Sequence, residues 1–356
     1  MAGSHVPLLS SLLLCAALRA PAQQEGPPPN SPQPPRPPHA RLFDAPEALP
    51  LTLTADFNAL SKDRGESKQE HAGVLSFGGP AGDSVALDVQ LRTRGHFRLQ
   101  RRTCDFPPLK VSFDKQQVKH TVFAGQGGLK LVVHCQDRDS YEQNLLQEYL
   151  LYRVFNLITE KSFRARLARV TYLDRSGKAK PVTRYAFFIE DDDPMARRED
   201  AQVLEQKGLT QLDTEVAHTG LVAMFEYLIG NTDFSFAALH NIVMIRDSTG
   251  TVFAVPYDFD WSGVVSASYA VPDPRLGIKS VRERLYRGYC RTPEQLGPTI
   301  ARFDDRKDSI YALFRSQEGL DPKRAEQTLR YFDDFYRTIN DTRAANREFV
   351  RNCVHP

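Results

Sequence analysis

Asp233 and Asn241 in "NTDFSFAALHN", with Asp258 and Asp260 in "VPYDFDWSG", are the residue types that metal-assisted chemistry on phosphate requires. The first stretch follows an apolar run, "LVAMFEYLIG", ended by Gly230, and precedes a β-branched run, "IVMI". It therefore reads as a loop from a helix to a strand. The second follows "TVFAVPY", which places its two acids at a strand end. Phosphoryl transfer needs an acid to orient and deprotonate the attacking hydroxyl, and an amide and a second acid to hold a metal on the phosphates. Asp233 is the candidate base, Asn241 and Asp258 are candidate metal ligands, and Asp260 offers another hard oxygen. Taken singly, each has a plainer role. Asp233 and Asn231 suit an Asx turn or a cap, and Asp258 and Asp260 a solvated strand end. The run Asp191 to Asp193 reads as a solvated loop, and His240 as a hydrogen-bonded structural residue, since no serine or cysteine nucleophile motif adjoins it.

The elements that must position these loops follow from periodicity. "LPLTLTADF", "SVALDVQLRTRG", "LKVSF" and "LKLVVHC" alternate or are rich in β-formers, so the N-terminal half reads as an antiparallel sheet. A helix follows in "SYEQNLLQEYLLYRVFNLI", with Leu145, Tyr149, Tyr152 and Phe155 at helical spacing, and then "ARVTYL" and "RYAFFIED" return to strand. Beyond Glu215 the chain turns mainly helical, in "EVAHTGLVAMFEYLIG" and again where Ala325, Leu329, Phe332, Tyr336 and Ile339 recur.

With 356 residues, 41% of them hydrophobic and 25% charged, the chain is long enough for a sizeable core and is neither a membrane protein nor a disordered tail by composition. Its 46 basic and 44 acidic residues leave a net charge of +2, which calls for no nucleic acid or anionic membrane as partner. Residues 1–22 read as a secretory signal, with the apolar core "VPLLSSLLLCAAL" and cleavage after Ala22, and residues 23–41 as a proline-rich spacer. The protein is expected outside the cytoplasm. No later segment offers the ~20 apolar residues of a membrane-spanning helix. Once Cys15 is removed, Cys104, Cys135, Cys290 and Cys353 remain, an even number that allows three disulfide connectivities.

Several of these pieces, "RTRGHF", "PPLKVSF", "LVVHCQD", "FEYLIGNTDFS", "LHN" and "VPYDFDWSG", taken in order, resemble the secreted atypical kinases of the spore coat protein H (CotH) type, from about Leu87 to Gly263. The resemblance implies an α+β, bilobal, atypical protein-kinase-like fold. An N-terminal antiparallel sheet lobe with one helix would span residues 42–190, and a mainly helical C-terminal lobe residues 191–356. It implies ATP and Mg2+ (or Mn2+) as cofactors and a serine or threonine hydroxyl of a protein as acceptor. Asp233 would be the catalytic base, and Asn241, Asp258 and Asp260 would hold the metal. Arg94 and Gly95 would form a phosphate-facing turn, and Lys110 would reach the phosphates with Glu148 as its helix partner. Lys130 and Glu142 are the rivals for those two places. Glu190 would lie at the hinge facing the adenine. No G-x-G-x-x-G is present, so the Arg94 to Arg102 segment would have to cover the phosphates. Asn241 lies eight positions after Asp233, so "FSFAALH" must form an extra turn. Transfer of AMP, or a kinase-like protein without catalysis that serves as an assembly partner, are the alternatives.

Overall fold

The computed structural model describes residues 41–79 and 82–355, with Met1 and Gly3. The expected signal segment and the spacer up to residue 40 otherwise lie outside the described residues. Strand β1 (Leu49–Ala55) buries Leu51, Leu53 and Ala55 in alternation, as a pleated strand with one face inward must. A short helix, α1 (Phe57–Lys62), is capped by the Asp56 carboxylate, which accepts the Ala59 N–H. Strands β2 (His71–Gly78), β3 (Ser84–Thr93), β4 (Leu109–Phe113) and β5 (Gly128–Val132) follow in antiparallel succession. Helix α2 (Asp139–Ile158) then leads to the antiparallel pair β6 (Ala165–Asp174) and β7 (Val182–Ile189).

These seven strands close into a barrel in the order β1-β2-β3-β4-β5-β7-β6. The closing contact is parallel, running from Leu49 opposite Ala168 to Ala55 opposite Asp174. This overturns the expected bilobal kinase-like fold, in which an antiparallel sheet with one helix would form the first lobe. The first strand is hydrogen-bonded on both sides, which leaves no exposed edge to template association. The sequence hid this in two ways. Strand β2 was not recognised, and the partner of β1 lies far along the chain, where alternation within either strand says nothing of pairing. Leu53, Leu75, Leu91, Val111 and Phe188, all without solvent exposure, help fill the interior.

The remaining chain builds α3 (Asp192–Arg198), β8 (Ala201–Val203), α4 (Val216–Ile229), β9 (Ile242–Asp247), β10 (Val252–Pro256), α5 (Pro293–Ser316), α6 (Pro322–Asn340) and α7 (Thr342–Ala345). The described residues thus hold seven helices and a second sheet in the order β10-β9-β8, so the second half is not simply helical. A second core joins α2 to α4, α5 and α6 and takes in Leu167, Phe187 and Ile189 of β6 and β7. Those strands are therefore buried on both faces, and β7 ends in five consecutive buried residues, Tyr185 to Ile189. Two disulfides form, Cys104–Cys135 and Cys290–Cys353. Among the described residues, no helix is long and apolar enough to cross a membrane.

Candidate functional site

Helix α4 delivers the first loop. It ends at Gly230 in the left-handed region (φ +68°), and a Cβ there would collide with the hydroxyl of Tyr331, so both the backbone angle and the space call for glycine. Next, the Asn231 Oδ1 accepts the Asp233 N–H at 3.0 Å, the Asx turn that these residue types favour. Ser235 and His240 then exchange both backbone hydrogen bonds, at 2.9 and 3.0 Å, and pinch the intervening residues into the extra turn the spacing demanded. As a result Asn241, eight positions on, returns beside Asp233. Its Nδ2 donates to the Asp233 carbonyl at 2.7 Å and to Asp233 Oδ2 at 3.1 Å, and His240 Nε2 lies 3.0 Å from Oδ1. Both carboxylate oxygens are thus oriented, while the side chain keeps 34% exposure. A cleft of about 600 Å³ opens at Asp233, walled by His240, Trp261, Val271, Pro274 and Leu276.

The second group of acids comes from α2 and the end of β10. Glu148 and Tyr152 occupy one face of α2, four residues apart. Tyr152 Oη accepts the Asp258 N–H at 2.9 Å. Asp258 and Asn241 both have positive φ, +62° and +54°, a conformation that Asn and Asp tolerate better than most residues and that clusters at functional loops. Arg98, from the turn after β3, enters between the acids. Its guanidinium lies 3.4 Å from Asp258, 3.5 Å from Asp260 and 3.7 Å from Glu148. Tyr269 donates its hydroxyl to Asp260 Oδ2 at 2.7 Å.

Three carboxyl groups around one guanidinium cannot all ionise freely. Burial, only partly offset by Arg98, pushes the Glu148 carboxyl well above its ordinary range, and one of its oxygens, Oε1, has no partner. Burial likewise raises Asp260 to about 6 against the pull of Arg98, with the charges of Asp258 and Asp233 adding to the rise. Burial also opposes the charge on Arg98, but Asp260 and Glu148 outweigh it and push its pKa well above the usual value. Arg94 is lowered by burial and held up by Asp258. Asp258 remains the open member, its side chain 39% exposed.

The expected residues are therefore only partly gathered. Asp233 and Asn241 are hydrogen-bonded to each other, and Asp258, Asp260 and Glu148 share Arg98, with Arg94 in the field of Asp258. Gly95 takes φ +83° with open space where a Cβ would stand, so the turn needs glycine for its backbone angle alone. Lys110 makes no ion pair among the described residues, and Glu148 is paired with Arg98 rather than with a lysine. Lys130, cross-strand from Lys110, has its Nζ 2.6 Å from Asp192 and 5.4 Å from the ring centre of Tyr257, the neighbour of Asp258. Asp192 is accordingly an ion-pair residue at the start of α3 and not a loop acid. Glu190 is buried. It is held by Arg198 at 2.9 Å and accepts the Arg164 N–H. Glu142, the rival of Glu148, serves Arg184 and the Tyr185 N–H.

Arg98, Tyr152 and Tyr269 are the residues that sequence reasoning passed over. Arg98 stood within the Arg94 to Arg102 segment, where nothing in the sequence sets it apart from its neighbouring arginines. Glu148 and Tyr152, one turn apart on an apolar helix, were the available signal. Hard oxygen donors of the kind magnesium takes are present in Asp258, Asp260 and Asn241, whose Oδ1 stays free because its amide nitrogen is committed to Asp233. No protein-family model and no curated protein matches the chain.

Proposed function

We propose that the protein is an exported phosphotransferase that moves the γ-phosphate of ATP to a serine or threonine hydroxyl of a protein, with Mg2+ (or Mn2+) as cofactor, as the CotH-type resemblance implies. The observation that carries this reading is Asp233, oriented by Asn241 and His240, facing a cleft and standing in the electrostatic field of Asp260. Asp233 takes the proton of the acceptor hydroxyl, and its two bonded partners fix which lone pair is presented. Asp258, Asp260 and Asn241 would hold the metal, which supplies positive charge to the phosphate oxygens when bound. Arg94 and Arg98 add cationic groups beside these acids, and Lys130 a third, so charge developing on the transferred group meets a fixed field. The two disulfides support an oxidising compartment, in keeping with export.

A second reading, an assembly module without catalysis, draws on Arg98, which already neutralises the acids that a metal would need. Mass spectrometry of an acceptor protein, and of the chain itself, after incubation with ATP and Mg2+ separates the cases. A gain of phosphate supports transfer, a gain of AMP moves the reaction to the α-phosphate, and no gain with any acceptor favours the assembly module.

A further inference from the structure

Asn241 and His240 orient the carboxylate of Asp233, and its backbone is held by a residue from a later part of the chain. Arg287 Nη1 donates to the Thr232 carbonyl at 2.6 Å and to the Phe234 carbonyl at 2.8 Å, so one guanidinium grips both chain neighbours of Asp233. Residues 231–234 lie in no helix or strand, so these carbonyls have no ladder to satisfy them. The carbonyl between them, that of Asp233, accepts Asn241 Nδ2. Three successive carbonyls are thus bound by two side chains. Hydrogen bonds from a charged donor are roughly twice as strong as neutral ones, which makes Arg287 the stronger hold. The guanidinium also lies 4.9 Å from the ring centre of Phe234 and lines the cleft that Asp233 faces.

Arg287 can serve as a brace because its own stretch is anchored. Gln211 Nε2 donates to the Arg287 carbonyl at 2.9 Å, and Gln211 Oε1 accepts the Tyr289 N–H at 2.9 Å. The next residue, Cys290, is bridged to Cys353. On the other side, Arg284 donates to the carbonyls of Leu228, in the last turn of α4, and of Tyr331, on α6, at 3.1 and 2.5 Å. The end of the helix that delivers the loop and the loop itself are therefore fixed to one segment. Burial works against the charge on Arg287, while Glu226, Asp233 and Asp273 sustain it, so Asp233 also feels the cation. A group that only filled this space would need neither the charge nor the planar fork of donors.

We propose, resting on the phosphotransfer reading, that Arg287 is a positioning residue: it fixes the backbone on both sides of Asp233 and so keeps the base in place at the cleft during transfer. The test compares the full chain with Arg287→Ala and Arg287→Lys, each with and without methylguanidine. It reads amide hydrogen exchange by mass spectrometry, Mg-ATP affinity by calorimetry, and transfer to dephosphorylated casein and to a pool of serine- and threonine-containing peptides. Arg287→Ala should lower kcat about ten- to a hundredfold, the scale of a misplaced catalytic group, with Mg-ATP affinity unchanged. Exchange in residues 231–241 should quicken while the barrel strands keep theirs. Methylguanidine returns the lost donors to the vacated space and should restore part of kcat and slow the exchange again in this variant alone. Should Arg287→Ala not fold, Arg287→Lys, which keeps the cation without the fork, carries the same comparison of kcat, affinity and exchange. Wild-type kcat in the variant would overturn the proposal. So would a lower kcat that comes with weaker Mg-ATP binding and faster exchange throughout the chain, the marks of a merely structural arginine. A wild type that passes phosphate to no acceptor refutes the phosphotransfer reading instead, and exchange then decides on its own. Quickening confined to residues 231–241 would uphold Arg287 as the brace of this loop, and unchanged exchange would overturn it.

Discussion

Glu226→Gln should remove much of the loss of stability that the protein suffers as pH rises. Glu226 is on α4, one turn before the loop that carries Asp233; it is 1% exposed, and neither carboxylate oxygen has a hydrogen-bond partner. Burial, with a smaller push from Asp233 and against the pull of Asn231 and Arg287, raises its pKa from 4.5 to about 8. An acid raised in this way keeps its proton in the folded chain over a range where the unfolded chain has released it. Its contribution is therefore complete below 4.5 and is lost as pH climbs to about 8. At about 1.4 kcal/mol per unit, the loss is about 3 kcal/mol by pH 7 and approaches 5 kcal/mol at its end. Glutamine has the same shape and does not titrate. Urea unfolding of both proteins at about pH 5 and about pH 8 should show curves within about 1 kcal/mol at the lower value, and a variant more stable by several kcal/mol at the higher. Parallel pH dependence in the two proteins would refute the reasoning, since it would mean that Glu226 is ionised in the fold and paired.

Asp233→Asn should reduce transfer by about 10²- to 10⁴-fold, the range of general-base catalysis, while Mg-ATP affinity by calorimetry stays near wild type; unchanged transfer would return the loop to a plain turn. Asp258→Asn should weaken metal-dependent nucleotide binding as well as transfer, and nucleotide affinity that is insensitive to it would remove Asp258 from the metal set. Arg98→Gln removes the cation shared by Asp260 and Glu148 and, because both acids are already pushed toward their neutral forms, should destabilise the fold by about 1–3 kcal/mol in chemical denaturation, the range for a buried polar group left without its partner; a change under about 0.5 kcal/mol would show that the pairing is not formed. Cys353→Ser opens a disulfide that spans 63 residues and should cost about 4 kcal/mol, and a thiol count of four on denatured, unreduced wild-type protein would show that no bridge forms.

Local signals in the sequence were reliable where one element explained itself. The alternation in Leu49 to Ala55 and Leu109 to Phe113 gave strands, and the apolar run closed by Gly230 gave α4 and its end. Asp233 and Asn241 could be linked because their separation is short, and the Ser235–His240 pinch is the only structure required between them. Pairing between distant strands left no such trace, so the parallel seam that closes the barrel was not legible and the strands read as an antiparallel sheet in a bilobal frame. Side-chain direction was hidden for a similar reason. Arg92, Arg94, Arg98, Arg101 and Arg102 are alike as letters, yet Arg98 turns inward because the chain folds back in a single 3-10 turn at Phe97–Leu99. Lys110 and Lys130 stand side by side on one face of the barrel, and only the position of Tyr257 and Asp192 separates them.

Closure of the barrel by β1 against β6 also sets an order of events during folding. Leu49 finds its parallel partner Ala168 only after β2 to β5 and the whole of α2 have emerged, so hairpin pairing among the early strands can begin while the seam cannot. The entropy of closing so long a loop must be spent before the seam's contacts offset it, and topologies rich in such pairings fold slowly. Until that moment β1 has one bare edge. If the chain is exported unfolded, that edge is the surface most in need of protection from neighbouring chains.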